Sequence, residues 1–564
     1  LKDYGANGSL KTLSLRGTAS EHQLVLVNGN RYSNFQNGLI DFSLIPISNV
    51  ERIELVYGGN SALYGSDALG GVINILTRQP VSDRRVRSEV SKGSFGFERI
   101  LLEGQGKFRD VGLLFGYLGE HGRDDYPYIV KQMNNFDTTL HRTNADFFRK
   151  QAYFNGVFQP DYHSSLTISS QYLTDERGAP GSFMTLNDLS YARQSDDDIN
   201  LLINYFDTHI NGIEFSVGSG LHSALQRYVD PNPSFPFNSF YKNNVMNFDP
   251  QVRLTLGKVQ KIIVGGEFSE GTLHSNDFDN RITRVQKALY LSSESQLEFD
   301  RKIFDRFTLY QTVRYDNVSD VGVHVTPKFG INVRIYREND VRLRMSFSKN
   351  FRSPTFNDLY YRGFSNQQLK PERSTSFDVG LMTKFNYLGE HNFDITYFTI
   401  STTERIVFDL TTFQPQNIER VQSNGLEIKY HSQLWNERLL LTAQYTYTEA
   451  LKTNRDSDDD PTYRKQLIYT PNHLFNFMTS LNVSQWWLNL QYNIIGSRFT
   501  DRENTKSLAQ YRIVNVNLIH RESMSSLRFT SKLEVNNLID YNYEVFQYYP
   551  MPKRNYRFTI GVEF

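Results

Sequence analysis

Apolar and polar side chains alternate one by one in many stretches of this chain, each about 9–11 residues long, the length a tilted strand needs to cross a bilayer. At the C-terminus Tyr556, Phe558, Ile560, Val562 and Phe564 alternate with Arg557, Thr559, Gly561 and Glu563. Val341, Leu343, Met345 and Phe347 oppose Arg342, Arg344, Ser346 and Ser348, and the same pattern covers residues 439–448 and 486–494. Successive strand side chains point to opposite faces, so each stretch predicts a strand with one apolar and one polar face. No apolar run approaches the roughly 18 residues of a membrane helix, which excludes a helical membrane protein.

Two architectures use such strands. A soluble sandwich or propeller hides the apolar faces in a core, whereas a transmembrane barrel turns them to lipid. The polar faces carry Arg, Gln and Asn in bulk, which suits a wet lumen, and strands end in Tyr and Phe, as at membrane rims. Connections alternate between short ones and long polar ones such as 230–247 and 453–464, and the acidic runs 196–198 and 456–460 read as loop tips. The barrel is favoured. Composition removes other classes: 61 Lys+Arg balance 61 Asp+Glu, so there is no basic footprint for nucleic acid. The absence of Cys excludes a disulfide framework, a thiolate zinc site, an iron–sulfur cluster and a cysteine nucleophile. With 34 Tyr and 41 Phe the chain is far too aromatic for disorder.

Residues 1–80 read differently. Leu24 to Val27 run into Asn28-Gly29, a strand followed by a tight-turn dipeptide. Val50 to Tyr57 alternates, with Ile53, Leu55 and Tyr57 on one face, and 72–76 is apolar on both faces, as in a buried strand. Between them Gly58, Gly59, Gly65, Gly70 and Gly71 serve tight turns. Neither the Walker spacing nor the Rossmann spacing occurs among them, so nucleotide binding is disfavoured. A small mixed α+β domain, 1–80, thus precedes a large barrel, 81–564, and its natural place is inside that barrel.

Several segments together resemble one family. Leu15-Arg16-Gly17, 24–29, 50–54, Ser61-Ala62-Leu63-Tyr64-Gly65 and 71–75 resemble the plug of TonB-dependent outer-membrane receptors. Residues 351–356 (FRSPTF), 369–374 (LKPERS), Gly425-Leu426-Glu427, 537–544 and the terminal Phe564 resemble barrel motifs of the same family, in the same order. The resemblance implies a barrel of about 22 strands, too wide for its own side chains to fill and therefore plugged. It also implies the outer membrane of a Gram-negative-type bacterium, outer-membrane lipid around the barrel, and TonB as the energising partner. Leu1 falls within the plug-like segment, so the TonB box is expected upstream of it. Within the family, 16–18, 25–31, 64–68 and 495–499 are most similar to the cobalamin transporters. Haem receptors of this family usually carry a His between the two barrel motifs, and residues 355–368 contain none, so the resemblance disfavours haem and leaves ferric siderophores as the competing ligand class.

The same resemblance suggests where function resides. Asn34, Phe35, Gln36 and Asn37 lie where cobalamin transporters have an apical plug loop, and amides beside an aromatic suit a corrinoid. Phe235, Phe237 and Tyr241 are expected on an extracellular loop as a ligand or partner surface. Arg16, Arg52, Glu372 and Glu427 are expected to form a plug–barrel charge cluster, although Tyr57-Gly58-Gly59 stands where many members have Arg before Gly-Pro. No cofactor is required; calcium on Asp196, Asp197 and Asp198 in a loop is considered because cobalamin transporters use loop calcium and Ca²⁺ prefers oxygen ligands. A surface lipoprotein is a further partner the family allows. An outer-membrane enzyme is disfavoured because neither Gly-x-Ser-x-Gly nor His-Glu-x-x-His occurs, and a passive porin because a plug would close it.

Overall fold

The computed structural model describes residues 2–81, 83–131, 137–183, 190–232 and 236–564. Among these, 22 strands form one closed antiparallel barrel, and the last strand, Asn555–Glu563, pairs back onto the first, Arg85–Gly93. Closure follows from the alternation. In the Val111–Gly122 strand, Val111, Leu113, Phe115 and Tyr117 are exposed, while Gly112, Leu114, Gly116 and Leu118 are buried. Val90, Ile100, Leu291, Val313, Val325, Phe558 and Ile560 extend the exposed apolar belt on other strands. That surface would be costly in water but is the surface lipid requires, and closure leaves no unpaired strand edge within the hydrocarbon. Among the described residues no helix is long and apolar enough to cross a membrane.

One rim of the barrel carries tight turns, at Arg109-Asp110, Ser484-Gln485 and Ser525-Ser526. The other carries the long connections, including 353–371, 453–472, 496–510 and 537–554. Short turns mark the periplasmic side of such barrels and long loops the outside.

The strands overrun the bilayer on the long-loop side. Gly389–Asp409 and Gln414–Leu434 each run 21 residues, about twice a membrane crossing. This corrects two readings. The supposed loop 230–247 is a hairpin of Ile213–Asp230 and Phe237–Leu256 with a connection of only 231–236, and Asp196–Asp198 belong to the strand Arg193–Asp207. Outside the bilayer a ladder needs no apolar face, so such strands look like loops in sequence. The acidic run 456–460 does lie in a loop and 456–459 are exposed, but the Asp460 side chain is buried on Lys452: Lys452 Nζ contacts Asp456 Oδ2 at 2.5 Å and Asp460 Oδ2 at 2.8 Å.

Inside the barrel, four strands make the plug sheet in the order Asn30–Arg31, Gln23–Val27, Gly71–Thr77, Val50–Tyr57. The central pair is parallel, the flanking pairs antiparallel. Asn28 and Gly29 both have positive φ, 49° and 81°, as a two-residue hairpin turn requires. Val25, Ile73 and Ile75 form one apolar face, while Leu24, Leu26, Ala68 and Val72 form the other. The sheet ends at Thr77 and the first wall strand begins at Arg85. Plug polar groups reach the wall on several sides: Asn49 Oδ1 accepts from Asn155, Asn30 donates to Asn204, and Lys328 reaches Asn60.

Candidate ligand site and plug anchors

At the long-loop rim a cavity of about 670 Å³ lies between the plug apex and the wall. Plug residues Tyr32, Asn34, Gln36 and Asn37 line one side; Gln194, Gln226 and Asn243 line the other. Asn34 Oδ1 accepts the Gln36 N–H and Asn37 Oδ1 accepts the Leu39 N–H, both at 2.9 Å. These Asx turns shape the apical loop. The carboxamide nitrogens of Asn34 and Asn37 make no protein hydrogen bond among the described residues, so they are free donors.

The wall of the cavity is acidic. Asp41, Asp196, Asp198 and Asp230 line it against Arg177 and His222. Arg177 bridges Asp41 at 2.8 Å and Asp196 at 3.3 Å, tying the plug to two neighbouring wall strands. Tyr32 donates its O–H to Asp198 at 3.1 Å, and His222 Nε2 lies 2.7 Å from the same oxygen. Burial, reinforced by the Asp198 charge, pushes the Tyr32 phenol well above its usual range, so it stays a donor.

Not all the expected ligand residues face this space. Phe35 is buried with Val245, Leu273, Phe278 and Phe356, and Arg284 covers both rings, 5.8 Å from Phe35 and 5.0 Å from Phe356. It anchors the apical loop to the wall rather than offering a surface, because a large ring gains more from burial than from a wet rim. Phe235 lies outside the described residues. Phe237 and Tyr241 are strand residues, not loop residues; Tyr241 packs against the Phe35 cluster and donates to Asp277. The three aspartates do not converge either. Strand geometry sends Asp197 to the face opposite Asp196 and Asp198, and no cluster of metal-holding His, Asp or Glu occurs among the described residues.

The plug anchors differ from the expected cluster in composition. Arg16 forks onto Glu427 and also meets Asp378. Glu372 instead holds His22 at 2.5 Å and Arg352 at 2.9 Å. Arg52 joins neither; it is exposed on the edge strand of the plug sheet and pairs with Glu54 of its own strand. Tyr57, in the position where many members have Arg, lies 5.2 Å from the Arg16 guanidinium. The barrel's Lys429 sits 3.6 Å above the same ring and 3.9 Å from Glu427, placing a second cation at the site from the other side. A further anchor, Arg31, pairs with Asp67 in the plug and Glu267 in the wall, where Arg314 joins it.

A barrel of this size, filled by an anchored plug and carrying a polar cavity on its outer rim, defines a gated outer-membrane receptor rather than an open pore. Residues 109–538 match the family model "TonB dependent receptor-like, beta-barrel" and residues 2–72 match "TonB-dependent Receptor Plug Domain". The chain belongs to the TonB-dependent receptors, integral proteins of the outer membrane that act as receptors and transporters rather than enzymes. It is 25% identical to a vitamin B12 transporter of Photobacterium profundum, over 99% of this chain and 87% of that protein. It is 24% identical, at the same coverage, to one from Vibrio cholerae. Among solved structures, the siderophore receptor PiuA of Acinetobacter baumannii superposes with a TM-score of 0.77 at 15% identity, covering 100% of this chain and 92% of that one. The FrpB iron transporter of Neisseria meningitidis gives 0.79 at 12% identity, with 100% and 94% covered. These two share the fold.

Proposed function

We propose that this receptor captures a corrinoid such as cobalamin in the cavity between plug apex and wall, for import driven through TonB. The observation that carries the reading is the chemistry of that cavity: free carboxamide donors on the plug side, Asn34 and Asn37, facing an acid-bearing wall. A corrin ring is rimmed with amide side chains that pair with such groups. A strongly anionic ferric catecholate would meet Asp196, Asp198 and Asp230 as like charges, which selects against it. The similarity to vitamin B12 transporters along nearly the whole chain agrees with this.

Scarce-nutrient capture also explains the need for an energised plug. At nanomolar affinity, about −12 kcal/mol, and an association rate of about 10⁶ M⁻¹s⁻¹, the ligand leaves unaided only over minutes or longer. Work delivered to the plug from the periplasmic side would loosen the apical half of the site.

Calorimetry of the detergent-purified receptor tests the reading, with cyanocobalamin, a ferric triscatecholate and a ferric hydroxamate, each with and without calcium. Cyanocobalamin is expected to bind below micromolar concentration. Silence with cyanocobalamin together with tight binding of either ferric chelate would replace the corrinoid with a siderophore.

A further inference from the structure

A second cavity, of about 340 Å³, opens at the same rim and shares Tyr4 and Leu39 with the first. Its charge is opposite. Lys2, Arg405, Lys465 and Arg502 line it against Glu21 and Glu419. Arg405 lies 2.9 Å from Glu419, and Arg502 lies 3.6 Å from the same carboxylate, so one anion serves two guanidinium groups. Lys452 also reaches this space but is occupied by Asp456 and Asp460. Among the described residues, Lys2 and Lys465 form no ion pair and no side-chain hydrogen bond. Burial lowers the Lys2 amine's pKa; Glu21 opposes that shift and Arg405 adds to it. A part-buried cation beside another cation is costly unless an anion arrives to share their donors.

The partition between the two cavities is aromatic and fixed. The Tyr4 ring stacks on Phe546 at 4.3 Å and meets Tyr549 edge-on at 5.9 Å. Phe546 faces the basic cavity and Tyr549 the acidic one. A ligand draped over Tyr4 and Leu39 therefore touches an amide-rich, acidic half and a cationic half at once.

We propose that the basic cavity is the subsite for an anionic phosphodiester on the ligand whose amide-rimmed body occupies the first cavity. The assignment rests on the corrinoid reading, since cobalamin carries its nucleotide tail on one phosphodiester. It explains how a receptor with an acidic main cavity accommodates a ligand bearing a negative group. Lys465 and Arg502, exposed at the mouth, attract that group; Lys2 and Arg405, deeper, hold it.

The test compares cyanocobalamin with dicyanocobinamide, the corrinoid lacking the phosphodiester and nucleotide, on wild type, Lys2→Gln and the double variant Lys465→Glu/Arg502→Glu. Thermal unfolding first checks that both variants are folded. Each is expected to weaken cyanocobalamin about tenfold or more, the loss of one hydrogen bond to a charged group, while dicyanocobinamide changes by less than about twofold. Salt should narrow the gap for the exposed double variant more than for Lys2→Gln. Unchanged cyanocobalamin affinity in both variants overturns the subsite alone. Saturable binding of inorganic phosphate that is lost in the variants, with both corrinoids unaffected, marks a free-anion site and also overturns it. No cyanocobalamin binding by wild type removes the corrinoid reading itself, and the subsite with it.

Discussion

Arg16 of the plug and Glu427 of the wall meet as a fork, Nε to Oε1 and Nη2 to Oε2, each at 3.0 Å. Asp378 takes another edge of the guanidinium, and the Phe398 ring lies 4.5 Å from it. Such a buried group adds little net stability but is expensive to break, so it holds the plug in one orientation. Arg16→Met takes the guanidinium from Glu427 and Asp378, leaving Lys429 beside the first and Lys328 near the second, and should cost about 3–5 kcal/mol. Glu427→Gln keeps Asp378 for Arg16 and should cost less. Thermal unfolding in detergent should therefore rank wild type above Glu427→Gln and Glu427→Gln above Arg16→Met, and only Arg16→Met should raise conductance in planar bilayers. The reverse ranking would refute the anchoring role.

Gly425 makes this arrangement possible. A Cβ there would overlap the Tyr447 carbonyl oxygen and the Phe398 ring. Gly425→Ala must push Phe398, which is fully buried, off Arg16. The expected loss is about 1–3 kcal/mol, read as a lower unfolding temperature and faster proteolysis of the plug. A variant as stable and as protease-resistant as wild type would show that the ring's position does not matter.

The strands are legible in sequence because lipid and lumen impose period two on each of them, as at 556–564. Their upper ends are not. Beyond the bilayer both faces meet water, so Asp196–Asp198 and the segment from Phe237 onward lose the apolar face and read as loops while still pairing. Arg16 and Glu427 carry motif signals, and Asp378 sits an even number of residues after Glu372 on one strand, a spacing that places it on the lumen side. Arg52 misleads because the family resemblance supplies a plug arginine without showing that its strand lies at the exposed edge of the plug sheet, where Glu54 is its nearest partner. His22 carries no local signal; its partner Glu372 is 350 residues away. Phe35 shows the same limit, since an aromatic between amides reads as a contact surface until its wall partners are known.

Phe35 offers a separation of structure from recognition. It fills the space above Gly271, where a Cβ would overlap its ring. Phe35→Ala should cost about 3–5 kcal/mol as a core truncation and weaken ligand binding by freeing the apical loop. Asn34→Asp and Asn37→Asp keep the Oδ1 acceptor of each Asx turn and remove only the carboxamide donor, so they should weaken binding with little change in unfolding temperature. Calorimetry beside thermal unfolding distinguishes the two patterns. A stable Phe35→Ala with full affinity would remove its anchoring role.

The loop 453–472 should respond to acid through Asp460. Its carboxylate takes the Lys452 ammonium at 2.8 Å, the Asp456 N–H at 3.0 Å and the Thr462 N–H at 2.8 Å. Burial alone would raise its pKa; Lys452 and the Thr462 donors outweigh that and hold it well below the usual carboxylate range. A folded-state pKa below the unfolded one means the unfolded loop takes up the proton first. The stabilisation is thus whole above the ordinary Asp pKa of about 3.9 and drains away as pH falls below it, vanishing only beneath the folded-state value. Amide exchange in 453–466, corrected for intrinsic rates, should be constant from neutral pH to about pH 5 and accelerate below about pH 4. Asp460→Asn should exchange faster at neutral pH, because Lys452 then keeps one carboxylate, Asp456, beside the Thr462 hydroxyl, and should lose most of the acid response. An acid response of the same size in Asp460→Asn would place the sensitive group elsewhere.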